Sequence, residues 1–86
     1  MNYQIEIHRD AYKAMNSLPV KVREQIERVI EMLICEPMAV DSKPLKGKHK
    51  GTMRARSGDY RIFYQVKTKE RVVAVLKVFH RREAYR

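Results

Sequence analysis

Met53-Arg54-Ala55-Arg56-Ser57-Gly58-Asp59-Tyr60-Arg61-Ile62-Phe63-Tyr64 decides how this chain folds. Apolar residues alternate with polar ones on either side of Ser57-Gly58-Asp59, the pattern of two β-strands joined by a tight turn. Successive side chains on a strand point to opposite faces, so Arg54 and Arg56 project away from Met53 and Ala55. Arginines held this way on rigid backbone suit a phosphate, because each guanidinium can donate two parallel hydrogen bonds to its oxygens.

Working outward from this hairpin, residues 71–79 supply a third alternating run after a turn at Thr68-Lys69-Glu70, which completes an antiparallel meander over 52–56, 60–67 and 71–79. The alternation predicts that Tyr60, Ile62, Tyr64 and Val66, with Ala74, Leu76 and Val78, face a core. The opposite side then carries Thr52, Arg54, Arg56, Arg61, Phe63, Gln65, Lys77, Phe79 and Arg81, a basic surface with aromatic rings interleaved.

Upstream, Tyr3, Ile5 and Ile7 alternate with Gln4, Glu6 and His8 and predict a first strand. Asp10 is placed to cap a short helix, in which Ala11, Met15 and Leu18 form a narrow apolar stripe before Pro19. Residues 20–36 form the best helix in the sequence. Val22, Ile26, Val29, Ile30 and Leu33 line one side, Glu24, Glu27, Arg28 and Glu31 the other, and Pro37 ends it. Those carboxylates read as a solvated face rather than as acid-base machinery. Residues 38–51, punctuated by Pro44, Gly47 and Gly51, form a basic loop. The expected fold class is α+β: an N-terminal strand, an α-helical hairpin, then a three-stranded antiparallel meander, with the helices packed on one face of the sheet.

At 86 residues the chain has room for one domain, residues 1–86. Nineteen Lys and Arg against ten Asp and Glu leave a formal charge of +9. So large an excess, concentrated in the second half, calls for an acidic partner, with nucleic acid ahead of a membrane surface. The sequence contains no apolar run of about 18 residues and no signal-peptide core, which predicts a soluble, cytoplasmic protein. The single Cys35 sits at the end of the helical apolar pattern and reads as a core residue. With His8, His49 and His80 it matches no common zinc spacing, so no metal and no cofactor is expected.

For an RNA partner, guanidiniums in quantity and no carboxylate cluster for a two-metal site suit a metal-free scission better than a metal-assisted one. The 2′-hydroxyl attacks the neighbouring phosphorus when it is held in line and the developing phosphate charge is stabilised. Arg61 and Arg81 are the candidates for that stabilisation, and guanidinium is too weak an acid to serve as a free base. Tyr85 and His80 are the candidates for proton transfer and orientation. Imidazole can act as acid or base near neutral pH, whereas a phenol, with a reference pKa of about 10, needs cations nearby. Two alternatives stay open: a Tyr85 ring merely docked on the sheet, and a His80 that strand alternation turns away from Arg81.

Several segments in their order and spacing resemble the RelE/ParE superfamily of toxins from type II toxin-antitoxin systems. They are Leu18-Pro19, Leu45-Lys46-Gly47, Arg54-Ala55-Arg56-Ser57-Gly58-Asp59-Tyr60-Arg61, Ile62-Phe63-Tyr64 and His80-Arg81-Arg82-Glu83-Ala84-Tyr85. The resemblance is closest to the RelE branch, whose members cut messenger RNA in the ribosomal A site. It implies a ribosome-dependent mRNA endoribonuclease in which Arg54, Arg61, Arg81 and Tyr85 fall on reaction-bearing positions. Lys46, Lys48, His49 and Lys50 in the loop, with Arg56, Lys77, Phe79 and Arg82, become candidates for RNA and ribosome contact. Thr52 departs from the pattern, standing where some RelE toxins have a lysine, so Arg56, Lys48 or Lys50 must supply that charge. The resemblance also implies a cognate antitoxin that wraps the toxin in a hetero-oligomer. The alternative it leaves is a ParE-like toxin that binds DNA gyrase without catalysis; a non-catalytic RNA-binding module would need only the charge and the aromatics.

Overall fold

A computed structural model describes residues 3–37, 43–44 and 51–85, excluding the side chains of residues 84 and 85. The chain runs β1 (Gln4–Ile7), α1 (Arg9–Asn16), α2 (Val20–Cys35), β2 (Lys43–Pro44), β3 (Met53–Ser57), β4 (Tyr60–Lys67), β5 (Val72–His80) and a C-terminal 3-10 turn (Arg81–Tyr85). The expected α+β class holds, with both helices on one face of the sheet. The sheet has five strands in the order β1-β5-β4-β3-β2. β1 lies parallel to β5, while the β2–β3, β3–β4 and β4–β5 pairs are antiparallel. The added strand is β2, two residues inside the stretch expected to be wholly loop, paired through Lys43 with Arg54 and Pro44 with Met53.

Burial follows the periodicity. Ala11 and Met15 of α1 and Ile26, Ile30 and Leu33 of α2 close on Ala55, Ile62, Tyr64, Val73, Val75 and Val78 of the sheet. These positions recur at three and four along each helix, which keeps them on one side. Cys35 was expected in this core but is exposed, because two residues beyond Leu33 is roughly 200° around the helix from the apolar stripe. Asp10 is not the cap of α1 either. The helix starts at Arg9 after an extended His8, and Asp10 lies in the first turn, where its charge still suits the N-terminal end of the helix dipole.

The register corrects one expectation about the core. Ile62 pairs with Val78 and Phe63 with Lys77, but Tyr64 pairs with Val75, so Leu76 is an extra residue in β5. A bulge of one residue reverses strand parity beyond it. Val73 and Val75 therefore join the helix-facing cluster with Val78; of the two residues expected beside Val78, Leu76 is only half-buried, and Ala74 is fully buried but outside that cluster.

Two turns hold this arrangement. Gly58, with φ +57°, is the first of the two residues linking β3 to β4, and a left-handed residue there matches the twist of the flanking strands. Arg71, at φ +55°, closes the β4–β5 turn, accepts a 2.8 Å hydrogen bond from the Gln4 N–H and sets its guanidinium 5.5 Å from the Tyr3 ring centroid.

Tyr64 is fully buried, and its hydroxyl donates to the Pro37 carbonyl at 2.6 Å, joining β4 to the exit of α2. Tyr64→Phe keeps the ring packing and strips the donor from a buried carbonyl. We expect a loss of about 1–3 kcal/mol in urea unfolding with an unchanged m-value; a variant as stable as wild type would show that this bond contributes nothing.

Candidate nucleic-acid interface

The face of the sheet opposite the helices is organised by cross-strand pairing. Arg56 pairs with Arg61, and Arg61 with Phe79; in the next row Arg54 pairs with Phe63, and Phe63 with Lys77. One row thus reads cation, cation, ring, and the other cation, ring, cation. The two rings are diagonal neighbours and pack edge to face, 4.9 Å apart at 88°, the geometry favoured by the ring quadrupole. Lys77 Nζ lies 5.5 Å from the Phe79 centroid, within cation-π range.

Exposure separates roles within the lattice. Arg56 and Lys77 are exposed, Arg54, Arg61 and Phe63 half-buried. Phe79, at 8% exposure, offers little surface for a base to stack on and supports Phe63 instead. Strand alternation placed Phe63 on this face, yet it was not among the candidate contact residues. The Arg61 guanidinium folds back along its own strand, donating to the Tyr60 carbonyl at 3.4 Å.

A third row shows why the lattice stops where it does. Thr52 is buried at 5% exposure, and its hydroxyl accepts a 3.5 Å hydrogen bond from Gln65. The position where some RelE toxins have a lysine is thus a packed polar contact, and Arg56, four residues further along the chain, is the exposed cation nearest in sequence among the described residues. At the far end of the sheet Lys67 meets Glu6 at 3.6 Å, so its charge is balanced there.

At the hairpin end, β5 runs on into the 3-10 turn. The Arg81 N–H donates to the Asp59 carbonyl at 2.7 Å, and its Nε lies 3.7 Å from Asp59 Oδ1. The ion pair is exposed and therefore weak; the backbone bond is what fixes Arg81 beside the β3–β4 turn. Arg82 is exposed. His80 is set apart from the lattice: it pairs with Tyr60 across the strands, on the parity of the core-facing residues, and so does not join Arg54 and Arg61. Tyr85 ends the turn, but its side chain lies outside the described residues, as do Lys46, Lys48, His49 and Lys50.

Among the described residues, no group of three or more His, Cys, Asp and Glu is placed to hold a metal ion. No helix among them is long and apolar enough to cross a membrane. The functional groups that the open face presents are thus guanidinium, ammonium and aromatic. Such a surface can hold phosphates in fixed positions and stack a base between them.

Comparison with known proteins places this chain in a family. A model described as the ParE toxin of type II toxin-antitoxin system, parDE, matches residues 5–85. Toxin RelG of Mycobacterium tuberculosis is 32% identical over 87 residues, spanning 100% of this chain and 99% of that one. A chain of the archaeal RelE-RelB complex from Pyrococcus horikoshii superposes with a TM-score of 0.81 at 34% identity, over 94% of this chain and 97% of that one. A chain of the toxin-antitoxin complex RelBE2 from M. tuberculosis gives 0.83 at 28% identity, over 93% and 99%. With a match over nearly its whole length, this chain belongs to the ParE toxin family of type II toxin-antitoxin systems and is a RelE-like toxin.

Proposed function

We propose that this toxin is a metal-independent, ribosome-dependent endoribonuclease that cuts messenger RNA in the A site and thereby stops translation in the cytoplasm. The observation that supports this reading is the two-row lattice in which Arg54, Arg56, Arg61 and Lys77 surround Phe63 on rigid strands. In the reaction the 2′-oxygen bonds to the adjacent phosphorus and the bond to the 5′-oxygen breaks. The 2′-hydroxyl gives up its proton as it attacks and the departing 5′-oxygen takes one up, so the products are a 2′,3′-cyclic phosphate and a 5′-hydroxyl. Arg61 and Arg81 stabilise the charge that builds on the phosphoryl oxygens, and Arg54 holds the phosphate beside Phe63. Pre-formed donors of this kind act most strongly on charge that develops in the transition state. Tyr85 is assigned to proton transfer at the strained phosphate, with the cations lowering the cost of its ionisation.

The lattice contains no strong general base, so alignment of the RNA has to come from elsewhere. Orientation contributes roughly 7–11 kcal/mol to suitably held reactions, and the ribosome supplies it here. Primer extension on a message being translated in a purified system tests this directly. Wild type should cut within A-site codons, Arg61→Ala and Arg81→Ala should lose at least about a hundredfold, and the new 5′ ends should carry hydroxyls. A 5′-phosphate would exclude this chemistry, and equal cutting of untranslated RNA would exclude the ribosome's role.

The family description as ParE toxin favours one other reading, a gyrase-binding toxin without nuclease activity. An intact message together with blocked DNA supercoiling would establish it in place of the nuclease.

Arg56 opposite Arg61 is a cross-strand pair of like charges, which costs the free protein roughly 0.2–1 kcal/mol. A bound phosphate removes that repulsion. Arg56→Ser should therefore slightly stabilise the free toxin in urea melts while weakening cleavage. A variant that is both less stable and fully active would contradict an anion-holding role.

The similar chains from P. horikoshii and M. tuberculosis come from toxin-antitoxin complexes, and we assign this toxin a cognate antitoxin in a hetero-oligomer. An acidic or amphipathic antitoxin segment, folding as it binds, would neutralise part of the +9 charge. Co-expression with the cognate antitoxin should restore growth and yield a co-purifying complex; continued toxicity with no complex would count against that partner.

A further inference from the structure

We infer that His80 is a positioning residue: its imidazole caps the C-terminal 3-10 turn and so holds Arg81, Arg82 and Tyr85 against the hairpin end of the sheet. The inference rests, for its effect on activity, on the nuclease reading above. The cap itself is a matter of geometry.

The Arg82 N–H donates to His80 Nδ1 at 3.1 Å. His80 ends β5, and Arg81 begins the turn, so this is the contact that a residue just before a helical turn makes with the second N–H of that turn. Helical starts leave their first N–H groups without partners in the turn itself, and Ser, Thr, Asp or Asn usually accepts one. Here the first N–H, of Arg81, goes to the Asp59 carbonyl at 2.7 Å, and the second, of Arg82, goes to the imidazole. Both early donors of the turn are thereby tied to the sheet.

The ring is oriented for this by Tyr60. The two residues are cross-strand partners, and their rings meet edge to face, 5.2 Å apart at 84°. With Nδ1 accepting, the proton of the neutral imidazole sits on Nε2. His80 therefore acts through the backbone it anchors, with no contact to RNA required. That separates it from the proton-transfer candidate that its residue type suggests.

Two substitutions separate ring, acceptor and proton carrier. The carbonyl oxygen of Asn in His80→Asn occupies the place of Nδ1 and restores the acceptor without the ring. His80→Phe keeps a ring beside Tyr60 and removes the acceptor. For the cap, amide hydrogen exchange at Arg82 should stay near wild type in His80→Asn and rise about fivefold to tenfold in His80→Phe, the usual size of a lost cap. Cleavage of translated message should follow the same order. His80→Asn should remain within about threefold of wild type and His80→Phe should fall at least about tenfold, mainly in kcat, since small displacements of catalytic groups are costly.

Retained protection and cleavage in His80→Phe would overturn the inference, and so would equal loss in both variants, which would assign the imidazole to proton transfer. If wild type itself cuts nothing, the nuclease reading falls, and the Arg82 exchange comparison alone decides the cap.

Discussion

The register of the β3–β4 hairpin is the constraint on which the rest of the molecule depends. Ser57 opposite Tyr60, across the Gly58-Asp59 turn, sets Arg56 against Arg61 and Arg54 against Phe63. A slip of one residue would send every side chain of one strand to the other face, burying arginines under the helices and exposing Ala55 or Ile62. Burial of Ala55, Ile62 and Tyr64 against Ile26, Ile30 and Leu33 opposes that slip. The hydrophobic core on one side therefore specifies the cationic lattice on the other. The pairing of Arg56 with Arg61 shows the direction of the compromise: packing energy holds two like charges together on the open face.

The β5 bulge extends the same logic to the third strand. Phe79 and Lys77 lie on the open face, while Val75 and Val73, in step with them along the strand, lie in the core. The extra residue, Leu76, reconciles the two halves of the strand. It allows one end of β5 to serve the lattice and the other to pack beneath the helices and beside β1, whose parallel pairing with β5 joins the first strand in sequence to the last. From that last strand the chain passes directly into the turn carrying Arg81 and Tyr85, so that turn leaves an interior strand of the sheet rather than a free edge.

Much of this was legible in the sequence, for identifiable reasons. Gly58-Asp59 between alternating runs gave the hairpin and its register, and the spacing of Val22, Ile26, Ile30 and Leu33 gave α2. The order of short motifs gave the toxin superfamily. The bulge was not legible, because Val72-Val73-Ala74-Val75-Leu76 is apolar at every position and carries no alternation to interrupt. Nor was β2, two residues within a basic, proline-containing stretch. Cys35 has the apolar character of a core residue, but its angle around the helix leaves it exposed. For His80, strand alternation already offered an imidazole turned away from Arg81, and its pairing with Tyr60 sets it on that side. Phe63 and Phe79 were both placed on the correct face, but only coordinates distinguish the half-buried ring from the buried one.

The central claim is that RNA engages the open face of β3, β4 and β5. Its most direct test is an NMR titration of the free toxin with a short 2′-O-methyl RNA, which can bind but cannot be cut. The account predicts that the largest amide and side-chain shifts fall on Arg54, Arg56, Arg61, Phe63 and Lys77 and weaken steeply with added salt. Shifts confined to the outer face of α2, or none at millimolar RNA, would contradict it.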